Sequence, residues 1–298
     1  MDFEPVPQEL PGAQQVPPEQ PGVPTAARQR EARFPDAVIL LIVFLACQVV
    51  LGLAAALVTG AARGNINSLV VACIEAGSLA ALIPVVRRRL GHWITDYVRY
   101  ARMRAGAWAA TFVCCAALLP GMRQVEGLVV RFIPITHFWR EAFGQLTGAD
   151  AFVRGLLVAA VVAPLVEEII FRGIILRGFA AHYGPTRALL YSSLLFGIVH
   201  LNPWQFLPAV ALGLFLGTLY LRTGTVAATW AAHAFYNGSI LVLAKFTDTR
   251  PLVDAEVSTG LSATALTAFT AGGVLIFCIG FWLLLRSSRP AAPAPSAG

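Results

Sequence analysis

Three ionisable side chains interrupt an apolar stretch that reads Val161-Val-Ala-Pro-Leu-Val-Glu167-Glu168-Ile-Ile-Phe-Arg172-Gly173. An ionisable group at the centre of a membrane-spanning helix costs roughly 2.5–3.5 kcal/mol on insertion scales. Such groups are retained when they pair, line a water-filled cavity or take part in a reaction. His200 and His233 lie inside apolar segments further along the chain. We therefore expect a chemical site within the membrane.

The composition is typical of a polytopic membrane protein. Hydrophobic residues make up 57% of the 298 residues and charged residues only 13%, whereas soluble domains carry about 25% charged residues. The net charge of +6 comes from arginines at the ends of apolar segments, so it does not indicate nucleic-acid binding. All five cysteines lie in apolar segments and form no CxxC pair. We therefore expect them to be small buried apolar residues.

We predict an all-α fold with about eight transmembrane helices around an intramembrane catalytic cavity. The apolar segments lie near residues 37–60, 67–86, 107–133, 151–176, 188–201, 204–221, 225–244 and 264–285. Most reach the roughly 20 residues that a helix needs to cross a bilayer. The fifth segment is shorter and stops near Asn202-Pro203. A helix that ends before the far membrane surface leaves room for a cavity.

The chain divides into five predicted regions. They are a disordered Pro-rich cytosolic tail (1–35), transmembrane helices 1–3 with an interfacial connector (36–150), a core with the candidate catalytic residues (151–245), an outer loop with helix 8 (246–286), and a second disordered tail (287–298). The connector Gly91–Arg104 is predicted as an amphipathic interfacial helix, with an ordinary loop as the alternative. With the N-terminus inside, 15 of the 22 basic residues face the cytosol, which favours cytosolic N- and C-termini.

The candidate residues share one depth in the membrane. Glu167, His200 and His233 lie ten, thirteen and eleven residues from basic residues at the cytosolic ends of their segments. At 1.5 Å per helical residue these separations are about 15, 20 and 16 Å. The three side chains are therefore predicted to lie in one layer near the middle of a hydrocarbon core about 30 Å thick.

The spacing within each segment suggests a division of roles. Glu168 and Arg172 are i,i+4 neighbours and are predicted to pair, whereas Glu167 is rotated about 100° away and stays available as a general base. Phe196 shares a helix face with His200 and is predicted to form an aromatic wall beside it. His233 and Asn237 also share a face, and both can donate hydrogen bonds to one oxyanion. The combination favours a hydrolytic site for amides.

The three motifs resemble those of the CAAX protease and bacteriocin-processing family, also called the Abi family, which includes type II CAAX prenyl proteases. The family pattern is EExxxR, then FxxxH, then HxxxN or HxxxD. Here the motifs read Glu167-Glu168-Ile-Ile-Phe-Arg172, Phe196-Gly-Ile-Val-His200 and His233-Ala-Phe-Tyr-Asn237. Each motif alone is weak, but three in this order on the fourth, fifth and seventh apolar segments are specific.

The resemblance implies a role for each motif residue. Glu167 is the expected water-activating base, with Glu168 and Arg172 as its supporting pair. His200 is expected to hold the water, and His233 with Asn237 to stabilise the oxyanion. We favour a mechanism without metal or other cofactor. The alternative is a zinc enzyme in which Glu167, His200 and His233 are the ligands, because zinc accepts His and carboxylate donors.

The predicted function is an intramembrane endopeptidase of the bacterial cytoplasmic membrane. Its expected partners are the lipid bilayer and a membrane-anchored protein or peptide that is cut near its C-terminus, and no nucleic acid. One alternative is a non-catalytic peptide-binding or bacteriocin-immunity membrane protein. Others are a proton or cation transporter that uses Glu75, Glu167 and Glu168, and a haem protein ligated by His200 and His233. Glu75 itself is predicted to pair with Arg123 rather than to line the cavity.

Overall fold

The structure is a computed structural model that describes residues 29–59, 68–98, 100–137, 139–140, 152–246 and 263–287. These residues form helices joined by short connections, with no β-strand among them. The predicted all-α membrane fold is confirmed. Five helices are long and apolar enough to cross a membrane, with candidate spans at Phe34–Val58, Leu69–Leu90, Ala105–Phe132, Pro203–Thr223 and Thr267–Ser287. The total of about eight crossings stays a prediction.

The long helical segments coincide with the eight predicted apolar segments. They are α1 (Phe34–Thr59), α2 (Ser68–Leu90), α3 (Ala105–Phe132), α4 (152–183), α5 (Pro185–Val199), α6 (Pro203–Thr223), α7 (Val226–Phe246) and α8 (Ala263–Ser287). Helices α1 and α2 pack together, α3 packs on α8, and α5 on α6. Helix α7 contacts α3, α4 and α6.

Helix α4 is a continuous helix with two π-helical stretches. Its α-helical parts are Phe152–Leu156, Ala163–Glu168 and Arg177–Tyr183, and the π-helical parts are Leu157–Val162 and Ile169–Leu176. π-helical turns are rare and occur frequently at functional sites. The Glu-Glu-xxx-Arg motif crosses the second junction from α to π geometry, so its exact side-chain directions do not follow from an ideal helix.

Helix α5 ends early, as the sequence predicts. Its 15 residues span about 22 Å. The helix stops at His200 because Leu201 adopts a left-handed backbone with φ 53°. Asn202 then caps α6, accepting a hydrogen bond from the backbone N–H of Gln205. His200 therefore sits at the end of a helix that stops within the bundle.

The core consists of two hydrophobic clusters, and α6 and α7 contribute residues to both. One is built mainly from α1, α2, α4 and α5 and includes Leu40, Phe171 and Phe179. The other joins α3, α6, α7 and α8 and includes Phe215 and Leu219. Of the motif residues, four are buried and three are partly buried; the buried ones are Glu168, Arg172, Phe196 and His233, and the partly buried ones are Glu167, His200 and Asn237.

The folded part of the chain begins before residue 35, the predicted end of the N-terminal tail. Ala32 is fully buried, and its backbone packs directly on Gly178 of α4. Arg177 donates to the Glu31 carboxylate at 2.6 Å. Residues 30–33 therefore belong to the folded molecule. The rest of the predicted N-terminal tail (1–28) and residues 288–298 of the C-terminal tail lie outside the described residues.

The predicted interfacial helix is wrong for most of the connector. Among the described residues of the connector (91–98 and 100–104), Ile94–Tyr97 forms one helical turn of the 3₁₀ type, and the others form a loop, which was the alternative. Tyr97 does not face the membrane; it is buried against Gly173, with the Arg177 guanidinium 5.3 Å from its ring centroid. Tyr97 can pack this closely because Gly173 has no side chain, a pairing that the periodicity of the connector cannot reveal.

Candidate active site

The predicted ion pair between Glu168 and Arg172 is present at the centre of the candidate site. Arg172 Nη1 donates to Glu168 Oε1 at 2.8 Å, and the two side chains are 2% and 0% exposed. Arg172 Nη2 reaches the backbone carbonyl of Gly213 on α6 at 3.4 Å. A buried charge is tolerated when it is paired and hydrogen-bonded, and this pair meets that condition.

His233 joins the same carboxylate from α7. Its Nδ1 lies 2.9 Å from Glu168 Oε1, the oxygen that also accepts from Arg172. Because a carboxylate paired with arginine is an acceptor, we assign the proton of this bond to Nδ1. Glu168 therefore orients His233 as well as pairing with Arg172. The sequence analysis missed this contact, because 65 residues separate the two side chains.

Glu167 lies on the other side of His233. Its Oε2 is 3.8 Å from His233 Nε2, which is longer than a hydrogen bond. Its side chain is 22% exposed, in contrast to the fully buried Glu168. The two adjacent glutamates thus have different surroundings, and Glu167 is the more accessible of the two.

His200 is held by its own helix. Its Nδ1 lies 2.7 Å from the backbone carbonyl oxygen of Phe196. A carbonyl oxygen only accepts hydrogen bonds, so Nδ1 carries the proton and a neutral His200 has its lone pair on Nε2. This tautomer presents an acceptor, rather than a donor, to the surroundings of the ring.

The buried ring of Phe196 contacts all three motifs. Its centroid is 5.0 Å from that of His200 and 5.7 Å from that of His233, both in edge-on orientations. The guanidinium of Arg172 stacks over the same ring, with Cζ 4.6 Å from the centroid. Phe196 therefore packs against the motif residues of α4, α5 and α7 and keeps them together.

Asn237 lies one turn after His233, as predicted. Its Nδ2 donates to the backbone carbonyl of Ala159 in the first π-helical stretch of α4, at 2.9 Å. One amide hydrogen of Asn237 thus links α7 to α4. Its role in stabilising an oxyanion stays a prediction.

The predicted pairing of Glu75 with Arg123 is wrong. Glu75 accepts a hydrogen bond from Gln48 Nε2 at 2.9 Å, and Arg123 pairs with Glu126 at 3.1 Å. Arg123 and Glu126 are three residues apart on α3, so the local partner is within reach without any rearrangement. The carboxyl groups of Glu75 and Glu167 interact electrostatically, and α2 packs along α4. Glu75 therefore belongs to the polar surroundings of the site.

A zinc site needs three or four donor side chains that converge on one point. Within the described residues, no group of three or more His, Cys, Asp or Glu side chains is placed to hold a metal ion. Nδ1 of His233 is engaged by Glu168, and Nδ1 of His200 by a backbone carbonyl. These Nδ1 bonds leave Nε2 as the ring nitrogen that could bind a metal, as in many metal-bound histidines, so the zinc alternative also stays a prediction. The metal-free mechanism stays a prediction.

Comparisons with known proteins agree with the motif analysis. A family model described as "Type II CAAX prenyl endopeptidase Rce1-like" matches residues 149–239. The chain is also similar to the Bacillus subtilis (strain 168) protein described as "Putative membrane peptidase YdiL", with 37% identity over 91 residues. That match covers 30% of this chain and 36% of the relative. No solved structure matches the chain significantly.

The fold and the site together define an all-helical integral membrane protein with buried carboxylate–histidine chemistry. The matched segment contains all three motifs, from Glu167 to Asn237. The resemblance to the CAAX protease and bacteriocin-processing family is therefore confirmed for this part of the chain. Because the match spans about a third of each protein, the activity of the whole chain is a matter for proposal.

Proposed function

We propose that this protein is an intramembrane endopeptidase that hydrolyses a peptide bond near the C-terminus of a membrane-anchored protein or peptide. The contrast between the two adjacent glutamates is the main support for this proposal. Glu168 is buried and fixed by Arg172 and His233, whereas Glu167 is partly exposed beside His233. A general base needs an accessible carboxylate close to the reacting atoms.

In the proposed first step, Glu167 accepts a proton from a water molecule as the water oxygen attacks the carbonyl carbon of the scissile amide. His200 accepts a hydrogen bond from the second hydrogen of the same water through Nε2. The Nδ1–H bond to the Phe196 carbonyl supports this role, because it leaves the lone pair on Nε2. One hydrogen of the water thus faces the Glu167 carboxylate, and the other faces Nε2 of His200.

The tetrahedral intermediate carries a negative charge on the former carbonyl oxygen. In this proposal His233 carries a proton on both ring nitrogens before the water attacks, so Nε2 donates to that charge while Nδ1–H remains bonded to Glu168. The buried Glu168 carboxylate stabilises the positive charge on His233. Asn237 adds a second donor from the same face of α7. Glu167 then passes its proton to the amine that leaves, so the base is restored.

The site also fits a substrate that is itself held in the bilayer. The motif helices are part of a bundle with five membrane-length helices, so a peptide reaches Glu167 most directly from the membrane. The matched relative is described as a membrane peptidase. We place the protein in a bacterial cytoplasmic membrane with both termini in the cytosol, in agreement with the arginine distribution.

Substitution of Glu167 by glutamine tests the proposal. Wild-type protein and Glu167→Gln are expressed at equal levels, and their membrane peptide pools are compared by mass spectrometry. Glu126→Gln is the matched control, because Glu126 lies in a membrane helix but pairs with Arg123 outside the motifs. We expect trimmed C-termini with wild type and with the control, and none with Glu167→Gln. Identical pools from all three proteins would reject proteolysis and favour a peptide-binding function.

A further inference from the structure

The turn between α5 and α6 has an unusual backbone. Leu201 has a φ of 53°, a region that bulky residues rarely adopt. It is the single non-glycine residue with positive φ among the residues that the structure describes. Such conformations persist where neighbouring groups hold them, and they concentrate at functional sites. Leu201 follows His200 directly.

The side chain of Asn202 holds this turn from both sides. Its Oδ1 accepts from the backbone N–H of Gln205 at 2.8 Å, which caps α6. Its Nδ2 donates to the backbone carbonyl of His200 at 3.2 Å and to Gln205 Oε1 at 2.5 Å. Asn202 is buried. One amide therefore starts the next helix and fixes the last carbonyl before the turn.

This arrangement determines where the His200 ring points. His200 is the C-cap residue that follows Val199, the last residue of α5, and its own backbone N–H bond to Gly197 is long, at 3.4 Å. The end of the helix therefore depends on the contacts that follow it. The ring bond between Nδ1 and the Phe196 carbonyl requires a fixed backbone at residue 200. Without the Nδ2 donor, Leu201 is free to leave its left-handed conformation. The His200 ring then turns with the backbone.

We propose that Asn202 is a positioning residue for His200. It keeps the imidazole in the Nδ1–H tautomer, with Nε2 available as an acceptor. The consequence for catalysis rests on the proposed function, whereas the consequence for the His200 ring does not. Neither the family motifs nor the sequence analysis assigns Asn202 any role beyond the end of the helix.

Asn202→Ser separates the two tasks of the side chain. Serine retains an oxygen that caps α6, but it has no amide group to reach the His200 carbonyl. Gln205→Ala is the matched control, because it removes the other acceptor of Nδ2 and leaves the cap and the His200 contact in place. The double variant Leu201→Gly/Asn202→Ser provides a rescue, since glycine adopts positive φ without strain.

The first readout is the ¹⁵N spectrum of the His200 ring in full-length protein in lipid nanodiscs. We expect the Nδ1–H tautomer in wild type and in Gln205→Ala, and a mixture with the Nε2–H tautomer in Asn202→Ser. Leu201→Gly/Asn202→Ser should regain part of the wild-type signal. A folded Asn202→Ser protein with an unchanged His200 spectrum would overturn the inference.

The second readout is kinetic and uses a peptide found in the wild-type membrane pool. A displacement near 1 Å at a reacting group lowers rates by up to about 10²-fold, so we expect kcat to fall about 10- to 100-fold with KM changed less than about twofold. An equal loss in Gln205→Ala would assign the effect to α6 rather than to His200 and overturn the inference. If wild-type protein cleaves nothing, the proposed function fails, and the spectra still decide the role of Asn202.

Discussion

Removing Arg172 is expected to destabilise the protein strongly, because it leaves Glu168 buried without its guanidinium partner. The substitution Arg172→Met keeps an unbranched apolar side chain of similar reach. It also removes the bond to the Gly213 carbonyl and the stacking on Phe196. The His233 ring and the Thr229 hydroxyl then remain as partners of the Glu168 carboxylate.

The magnitude follows from the burial of the pair. Breaking a buried ion pair by removing one partner costs about 3–5 kcal/mol, because an uncompensated charge is left behind. Each kcal/mol lowers Tm by about 2–4 °C in a chain of this size class. Arg172→Met should therefore melt about 6–20 °C below wild type.

The assay is thermal unfolding of purified protein in one detergent, followed by circular dichroism at the helix band. Arg89→Met is the matched control. Arg89 bonds Asp36 at 3.0 Å, but its side chain is 40% exposed and Asp36 retains its second partner, Arg30. Asp36 is buried but also keeps the backbone N–H of Arg33 as a donor. Losing one partly exposed partner should therefore cost about 0–1 kcal/mol, so the control should melt within about 4 °C of wild type.

The double variant Glu168→Gln/Arg172→Met examines the cause of the loss. It removes the buried charge together with its partner, so it should melt above Arg172→Met although it carries one more substitution. The reasoning is refuted if Arg172→Met has the same Tm as Arg89→Met. It is also refuted if the Tm of the double variant falls by as much as two independent substitutions would lower it.

Two further substitutions probe the packing that positions the site. Gly178→Ala should lower the free energy of unfolding by about 1–3 kcal/mol, because a methyl group there would lie 2.7 Å from the backbone nitrogen of Ala32. Gly106→Ala is the control, because nothing lies within 4 Å of the added methyl group. Thermal unfolding should show no such loss of stability for this control. Phe196→Leu removes the ring from beside His200 and His233, which costs about 0.5–1.5 kcal/mol for each aromatic pair. Cleavage by Phe196→Leu at the wild-type rate, measured on the peptide from the membrane pool, would show that the ring does not hold the histidines in place.

The sequence predicts most of the helical architecture because the signals are local. Apolar length defines the segments, and the early end of α5 follows from Asn202-Pro203, which starts a new helix. The 3₁₀ turn at Tyr97 was not predictable in the same way. Tyr97 faces protein instead of lipid because Gly173 leaves space for it. Gly173 lies 76 residues further along the chain.

The sequence by itself determined the set of ionisable residues in the membrane and the contacts that helical spacing imposes, such as the pair of Glu168 and Arg172. Tertiary structure decided the others. It brings His233 from α7 to Glu168 and joins Glu75 to Gln48 instead of Arg123. Spacing along a helix restricts only partners three or four residues apart. Contacts between helices depend on how the apolar faces pack, and that packing is fixed only when the whole bundle has assembled.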